Sequence, residues 1–408
     1  MHETWLMEVT SLPTAAGREE RVLAWIDAWI RPRRSRIRVT RDDAGNVLIL
    51  RKDMRRGDRP VLATAHLDHP AFVVSGHRAA PRSASRTRRT AAVRPIRELT
   101  LEFRGGVHDP YFAGARIEVI DMLGVRHGAR IRSLDPKALP FKRVTASLDA
   151  PARAGSIREG DIARWALPAP RIVRREMPAS SSGGRSRTVR VIETHACDDL
   201  AAVAAACAAF DSLLASRSAR RFGLLFTTAE EVGFIGAIHA AREGFVPRGA
   251  RLICLENPRS FPHDSPIGAG AILRVGDRLS VFSPHLTNAL SELFAAHAKD
   301  TKGWMWQRKL MPGGACEATA FASYGIESTC LCLPLGNYHN MTDIDGVLAG
   351  TRPARIGPEY VSVDDFHGLV DMLRVAVMGL DSGRNAAAPA HRPLMERLYR
   401  ERQSVLAG

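Results

Sequence analysis

The sequence predicts an α/β sheet domain interrupted by a small all-β insertion, and three observations carry that reading. Compact apolar runs at Val61–His66, Arg221–Thr228, Arg251–Leu255 and Ser328–Leu333 read as strands buried inside a sheet. From residue 190 onward those runs alternate with helical patterns, the signature of an α/β layer. Residues 99–170 differ in kind: short β-rich pieces (LTLEFRG, ARIEVID, RVTASLD) stand between Gly, Asp and Pro, and long helical patterns are scarce.

Each element has its origin in local pattern. In GREERVLAWIDAWI, Val22, Leu23, Trp25, Ile26, Trp29 and Ile30 are spaced as one face of a helix. NVLILRK, from Asn46, reads as a short strand, and VLATAH as a buried one that ends in His-Leu-Asp-His. After Val74 an Arg/Ser/Ala-rich stretch reads as a flexible loop, and a second such stretch, PASSSGGRSR, closes the β unit. Beyond it, Leu200–Leu214 is an Ala-rich helix, Phe234–Arg242 and Thr287–Ala298 are helical, and Val363–Leu380 is a final amphipathic helix. The expected organisation is 1–74 and 190–382 as two parts of one domain, 75–189 as the β insertion with Arg-rich borders, and 383–408 as a polar, loosely held tail.

Composition bounds the function. With 408 residues, 45% apolar and 25% charged, the chain can bury a large core and is not a disordered polymer. Its net charge of +15 suggests a nucleic-acid or anionic partner until it is located. Residues 31–41, 78–97 and 171–190 hold 19 Arg and one Glu, or +18 between them, so the rest of the chain carries −3. Those runs lack the interleaved aromatics that stack on bases, so a nucleic-acid partner is not expected. Six cysteines form no CxxC pair, the first residues lack a signal-peptide pattern, and no run approaches the ~20 apolar residues of a membrane span. The expectation is a soluble, reduced, cytoplasmic protein without a membrane partner.

Metal-capable residues fall where the strands end. The first buried run ends in His66 and Asp68, the second in Glu230 and Glu231, the third in Glu256, and the fourth leads, after a short loop, to His339. Asp198 and Asp199 stand where a loop enters the Ala-rich helix. Singly, each has a plain structural explanation, such as a helix cap or an exposed turn residue. Jointly they would gather outside the carboxyl ends of the strands, where open α/β sheets bind ligands.

In this order, H-x-D, D-D, E-E-V-G, acid and H, the sequence resembles the dinuclear metallo-aminopeptidases of the glutamyl/tetrahedral aminopeptidase family (M42-like, related to the M28 and M20 zinc exopeptidases). The resemblance runs in motif order over roughly residues 5–380. AEEVGFIGA is its most specific piece, and PTAAGREERV is similar to the family's P-x-x-S-G-x-E-x-x-V opening. It implies a zinc-exopeptidase-like α/β/α sandwich as the catalytic domain. It also implies two divalent ions per chain, Zn²⁺ first with Co²⁺ or Mn²⁺ as alternatives, and a peptide substrate. His66 and Glu256 would hold one ion, Glu231 and His339 the other, and Asp198 would bridge them through a residue whose peptide to Asp199 is cis. Asp68 would orient His66, and Glu230 would be the general base. Dimers, or a dodecameric shell, would assemble through the inserted domain.

Several motifs depart from the family pattern. The chain reads D-D-L for D-D-R, Glu256 where close relatives have Asp, N-Y-H-N-M-T-D for Y-x-H-S-P-x-E, and Glu317 near the aspartate of G-G-T-D-A. The chemistry nonetheless asks for this residue set. Paired divalent ions ~3.5–4 Å apart activate water and polarise a carbonyl, and a carboxylate next to a ligand can move the proton. Other readings are a related dinuclear deacylase or carboxypeptidase, a nucleic-acid-binding protein with a silent site, and a scaffold assembled through the insertion.

Overall fold

The computed structural model describes residues 1–79, 95–153, 155–178, 186–380, 392–403 and 405. Much of the Arg-rich borders at 78–97 and 171–190 lies outside these residues. The chain begins with helices α1 (His2–Val9) and α2 (Glu20–Ile30) and strands β1 (Ile37–Arg41), β2 (Val47–Arg51) and β3 (Val61–His66). The next six strands are β4 (Ala71–Ala79), β5 (Ile96–Arg104), β6 (Arg116–Ile120), β7 (Arg126–Asp135), β8 (Lys142–Ala152) and β9 (Ile162–Trp165). Then come β10 (Arg171–Met177), β11 (Arg187–Thr194), α3 (Leu200–Leu213), β12 (Phe222–Thr227), α4 (Ile235–Arg242), β13 (Arg251–Glu256) and β14 (Ala271–Gly276). The chain continues through α5 (Pro284–Asp300), β15 (Trp306–Leu310), α6 (Glu317–Ser323), β16 (Glu327–Cys332), α7 (Ile344–Leu348), β17 (Glu359–Ser362), α8 (Val363–Gly379) and α9 (Arg392–Arg402).

The strands make three sheets. The largest has eight, in the order β1-β2-β12-β3-β13-β16-β14-β15. Its centre, β12-β3-β13-β16, is parallel throughout, with Thr227 opposite His66 and Glu256 opposite Cys332. These four strands therefore end level, and the loops leaving them emerge at a single edge. Their residues are buried on both faces, which is why the sequence shows apolar runs without polar alternation. Ala63, Ala65, Leu224 and Phe226 face a core shared with α1, α2, α3, α5 and α8, while Leu62, Leu225 and Leu252 face a second core with α4 and α6. Helix α3 is buried almost all round, and its seven alanines let it lie close between β3 and α8.

Strands β4-β5-β8-β7-β6-β9 close into a barrel filled by Phe72, Phe103, Phe112 and Trp165, whose rings meet edge to face at 4.8–4.9 Å. Such pairs add about 0.5–1.5 kcal/mol each beyond area burial. The barrel begins at Ala71, directly after the His-Leu-Asp-His segment. Strand β10, inside the expected 75–189 segment, and β11, which crosses its end, lie in a separate three-stranded sheet with β17. That pairing brings Glu359, at the start of β17, beside Thr194 and the loop to α3. The tail, expected to be loose, carries α9, whose residues are almost all exposed. Among the described residues no helix is long and apolar enough to cross a membrane.

Candidate metal centre

His66, Asp198, Glu230, Glu231, Glu256 and His339 converge at the shared edge of the four parallel strands. Donor atoms of His66, Asp198 and Glu256 lie within 4.8 Å of one another, and so do those of Asp198, Glu231 and His339. Asp198 belongs to both groups and turns one oxygen to each histidine: Oδ1 is 3.5 Å from His66 Nε2, and Oδ2 is 3.4 Å from His339 Nε2. Glu231 Oε1 stands 3.3 Å from His339 Nε2, and Glu230 Oε2 3.9 Å from His66 Nε2. The Asp198–Asp199 peptide is cis.

Hydrogen bonds on the far side of each ring aim the histidines. His339 Nδ1 donates to the Gly106 carbonyl at 2.6 Å, so in the neutral imidazole Nε2 carries the lone pair on the side of the carboxylates. His66 Nδ1 lies 3.1 Å from the Asp68 carbonyl oxygen and 3.4 Å from its carboxylate. The Asp68 carboxylate is engaged elsewhere: it accepts from the Glu230 and Glu231 amides at 2.9 and 3.0 Å. Asp68 thus holds the Glu-Glu turn as well as His66.

Local sequence explains that turn. Ala229 and Phe234 adopt positive φ (51° and 61°), so the chain leaves β12 sharply and presents both glutamates. A Cβ at Gly236 would stand 2.3 Å from the Thr228 carbonyl, so only glycine lets α4 begin so close to the strand end. Glu19, inside the PTAAGREERV motif, accepts from the Gly17 and Ala229 amides at 2.8 and 3.0 Å. Burial, then repulsion from Asp68, pushes its carboxyl up to about 7.

Charge is concentrated here. Burial pushes Glu230 well above the usual carboxylate range, with Glu231 and Asp68 adding repulsion. Burial and Glu230 do the same to Glu256. Burial opposes a charge on His66 and His339, but the carboxylates facing them outweigh it and raise both imidazoles. Asp198 goes the other way, because the His339 and His66 imidazoles that face it overcome the cost of burial. Asp198 Oδ1, Glu231 Oε1 and Glu256 Oε1 are buried without a hydrogen-bond partner. Orphaned carboxylate oxygens facing two imidazole nitrogens fit divalent cations, and mixed oxygen and nitrogen donors suit Zn²⁺, Co²⁺ or Mn²⁺.

Some contributing residues carried no assigned role in the sequence. Glu359 accepts from the amides of Cys197 (2.7 Å), Asp198 (3.1 Å) and His339 (2.8 Å), tying two candidate ligand loops to one carboxylate. His69 Nδ1 meets the Asp198 carbonyl at 2.6 Å, and Asn257 donates to the Cys197 carbonyl. Only Glu19 stood in a motif that could have signalled it. We expect Glu359→Ala to cost about 3 kcal/mol or more, since three buried amides lose their acceptor. Metal affinity should fall about 10–100-fold as well. Denaturant melts and metal titration of the variant check both, with Glu359→Gln falling between.

A cavity of about 310 Å³ opens from Asp198 and Glu256 and is walled by Arg259, Phe261, Tyr338 and Met341 among others. The parallel strand ends, the His/carboxylate donors and the adjoining cavity together form a candidate metal centre at the sheet edge. Residues 185–352 match the family model of M42 glutamyl aminopeptidase. That match covers the part of the chain that carries Asp198, Glu230, Glu231, Glu256 and His339, and it is to that family that this segment is similar. No match was found among curated proteins.

Solved structures share the fold. A TET1 peptidase of Pyrococcus horikoshii, described as assembling into a tetrahedron or a large octahedral shell, is 20% identical with a TM-score of 0.64, covering 92% of this chain and 99% of its own. A TET aminopeptidase of a marine-sediment Thaumarchaeota archaeon is 18% identical with a TM-score of 0.67, covering 94% and 98%. An aminopeptidase of Desulfurococcus kamchatkensis is 18% identical with a TM-score of 0.67, covering 95% and 98%.

Proposed function

We propose that the protein removes N-terminal residues from peptides with two divalent ions per chain, Zn²⁺ in the first place. His66 and Glu256 would hold one ion and Glu231 and His339 the other, with Asp198 shared between them. The single observation that supports this is the pair of three-residue donor groups sharing Asp198. Charge agrees: Asp198, Glu230, Glu231 and Glu256 would carry four negative charges when ionised, which two dications balance. Bound together, such ions supply Lewis acidity toward the scissile carbonyl and lower the pKa of the attacking water.

The chain's own residues do the rest. Glu230, next in sequence to the ligand Glu231, accepts a proton from the attacking water as the new C–O bond forms. It returns that proton to the leaving amine as the C–N bond breaks. Asp68 fixes the base and the ligand together through their two amides. The 310 Å³ cavity beside Asp198 and Glu256 receives the N-terminal residue.

The architecture proposed is an α/β/α catalytic sandwich with the barrel as its inserted domain. The working form is a homo-oligomer, a reading supported by the assemblies described for the P. horikoshii neighbour.

A panel of aminoacyl p-nitroanilides, each with and without an N-acetyl group, tests the reaction class. Hydrolysis confined to the free-amine forms is expected. Release of acetate from the acetylated forms without release of p-nitroaniline would make the protein a deacylase instead.

A further inference from the structure

We infer that Tyr338 is a further catalytic residue, its phenolic hydroxyl donating a hydrogen bond to the scissile carbonyl oxygen as that oxygen gains negative charge. The inference rests on the peptidase reading above and goes beyond its ligand and base assignments.

The first observation is the backbone that carries the ring. Asn337, His339 and Asn340 all adopt positive φ (52°, 53° and 63°), a conformation that strains L-residues and that asparagine tolerates better than most. The turn is held from several sides. Glu359 accepts from the His339 amide at 2.8 Å, Asn337 donates to the Pro358 carbonyl at 2.8 Å, and Asn340 donates to the His195 carbonyl at 2.9 Å. Three strained residues in so short a turn survive only where their surroundings over-determine them, and such strain collects at functional sites.

That turn lays the Tyr338 ring on the His339 imidazole, with centroids 3.7 Å apart and planes 22° from parallel. The ring lines the cavity that contains Asp198 and Glu256. Among the described residues the hydroxyl makes no hydrogen bond, while its neighbours on the wall are engaged. Asn257 donates to Cys197, Arg259 to Asp345, and Arg274 to the Met311 and Gly314 carbonyls. A free phenol beside the reacting carbonyl is a preorganised donor that costs no rearrangement when charge develops.

The position has chemical consequences. A neutral phenol can donate one hydrogen bond and cannot coordinate as a carboxylate does, so it leaves the donor groups at Asp198 undisturbed. Its contribution grows as the carbonyl oxygen becomes negative, so it acts on turnover more than on substrate affinity.

The test uses the metal-loaded full chain, its best p-nitroanilide substrate and two variants. Tyr338→Phe keeps the stack on His339 and removes only the hydroxyl. We expect its kcat to fall about 100-fold, with KM within about threefold and an unchanged metal content. Its affinity for the phosphonic-acid analogue of leucine should fall, while affinity for leucine itself should not. Tyr338→Leu, which also loses the ring, should show the same kcat loss with a higher KM. A Tyr338→Phe enzyme with kcat within about threefold of wild type, or one whose kcat loss tracks lost metal, overturns the inference. If Phe is unaffected and only Leu is impaired, the ring is merely a wall and the inference fails. A wild-type chain that hydrolyses no substrate of the panel overturns the peptidase reading beneath it, a different and recognisable failure.

Discussion

Glu230→Gln should lower kcat by about 10³-fold and leave the metal content unchanged. A positioned general base contributes roughly 10²–10⁴-fold, and glutamine has nearly the shape of glutamate but no proton affinity to use. Its neighbours favour a clean result. The Glu230 amide remains bonded to Asp68 at 2.9 Å whatever the side chain is, so the turn and Glu231 keep their places. Glu230 Oε2 is 3.9 Å from His66 Nε2, farther than either Asp198–histidine contact, yet it also forms a donor group with His66 and Glu231, so base and ligand are separated by metal content. Parallel measurements of kcat and of bound metal decide the matter. Full activity in the variant would remove Glu230 from the reaction, and lost metal would make it a ligand.

Asp198→Ala has the second large effect, and it acts on binding first. Its two oxygens face His66 and His339 separately, and among the described residues it alone joins the group with Glu256 to the group with His339. The variant should lose both ions and with them at least about 10³-fold in activity. Added Zn²⁺ should no longer raise its melting temperature, whereas an ion at about 1,000 times its Kd stabilises the wild-type fold by about 4 kcal/mol. Glu256→Ala, which touches only one group, should retain part of that response. A Zn²⁺-induced shift in Asp198→Ala equal to that of wild type would rule out the bridging role.

Range along the chain separates the features that were legible in the sequence from those that were not. Strands such as Val61–His66 announce themselves because burial on both faces forces an unbroken apolar run, and parallel strands carry their terminal residues to one edge. His66, Glu231, Glu256 and His339 could therefore be assembled by position alone. Glu359 could not, because its role depends on β17 pairing with β11, a contact between segments some 165 residues apart with no periodic trace. The carbonyl of Gly106 that aims His339 is equally silent, since any residue could supply it. Asp68 was legible as a partner of His66, but its bonds to two backbone amides are set by the turn after β12 and not by side-chain spacing. The charge of +15 was the most conspicuous number in the sequence, yet among the described residues none of its three Arg-rich stretches supplies a residue to the centre.

Metal stoichiometry measured beside peptide-bond hydrolysis tests the central claim most directly. The chain, loaded with Zn²⁺ and freed of excess, should hold two ions and hydrolyse free-amine aminoacyl substrates. A chelator should remove the ions and the activity together, and restored Zn²⁺ should return both. A folded chain that binds no divalent ion, or one that hydrolyses these substrates at full rate after its metal is gone, would contradict the account.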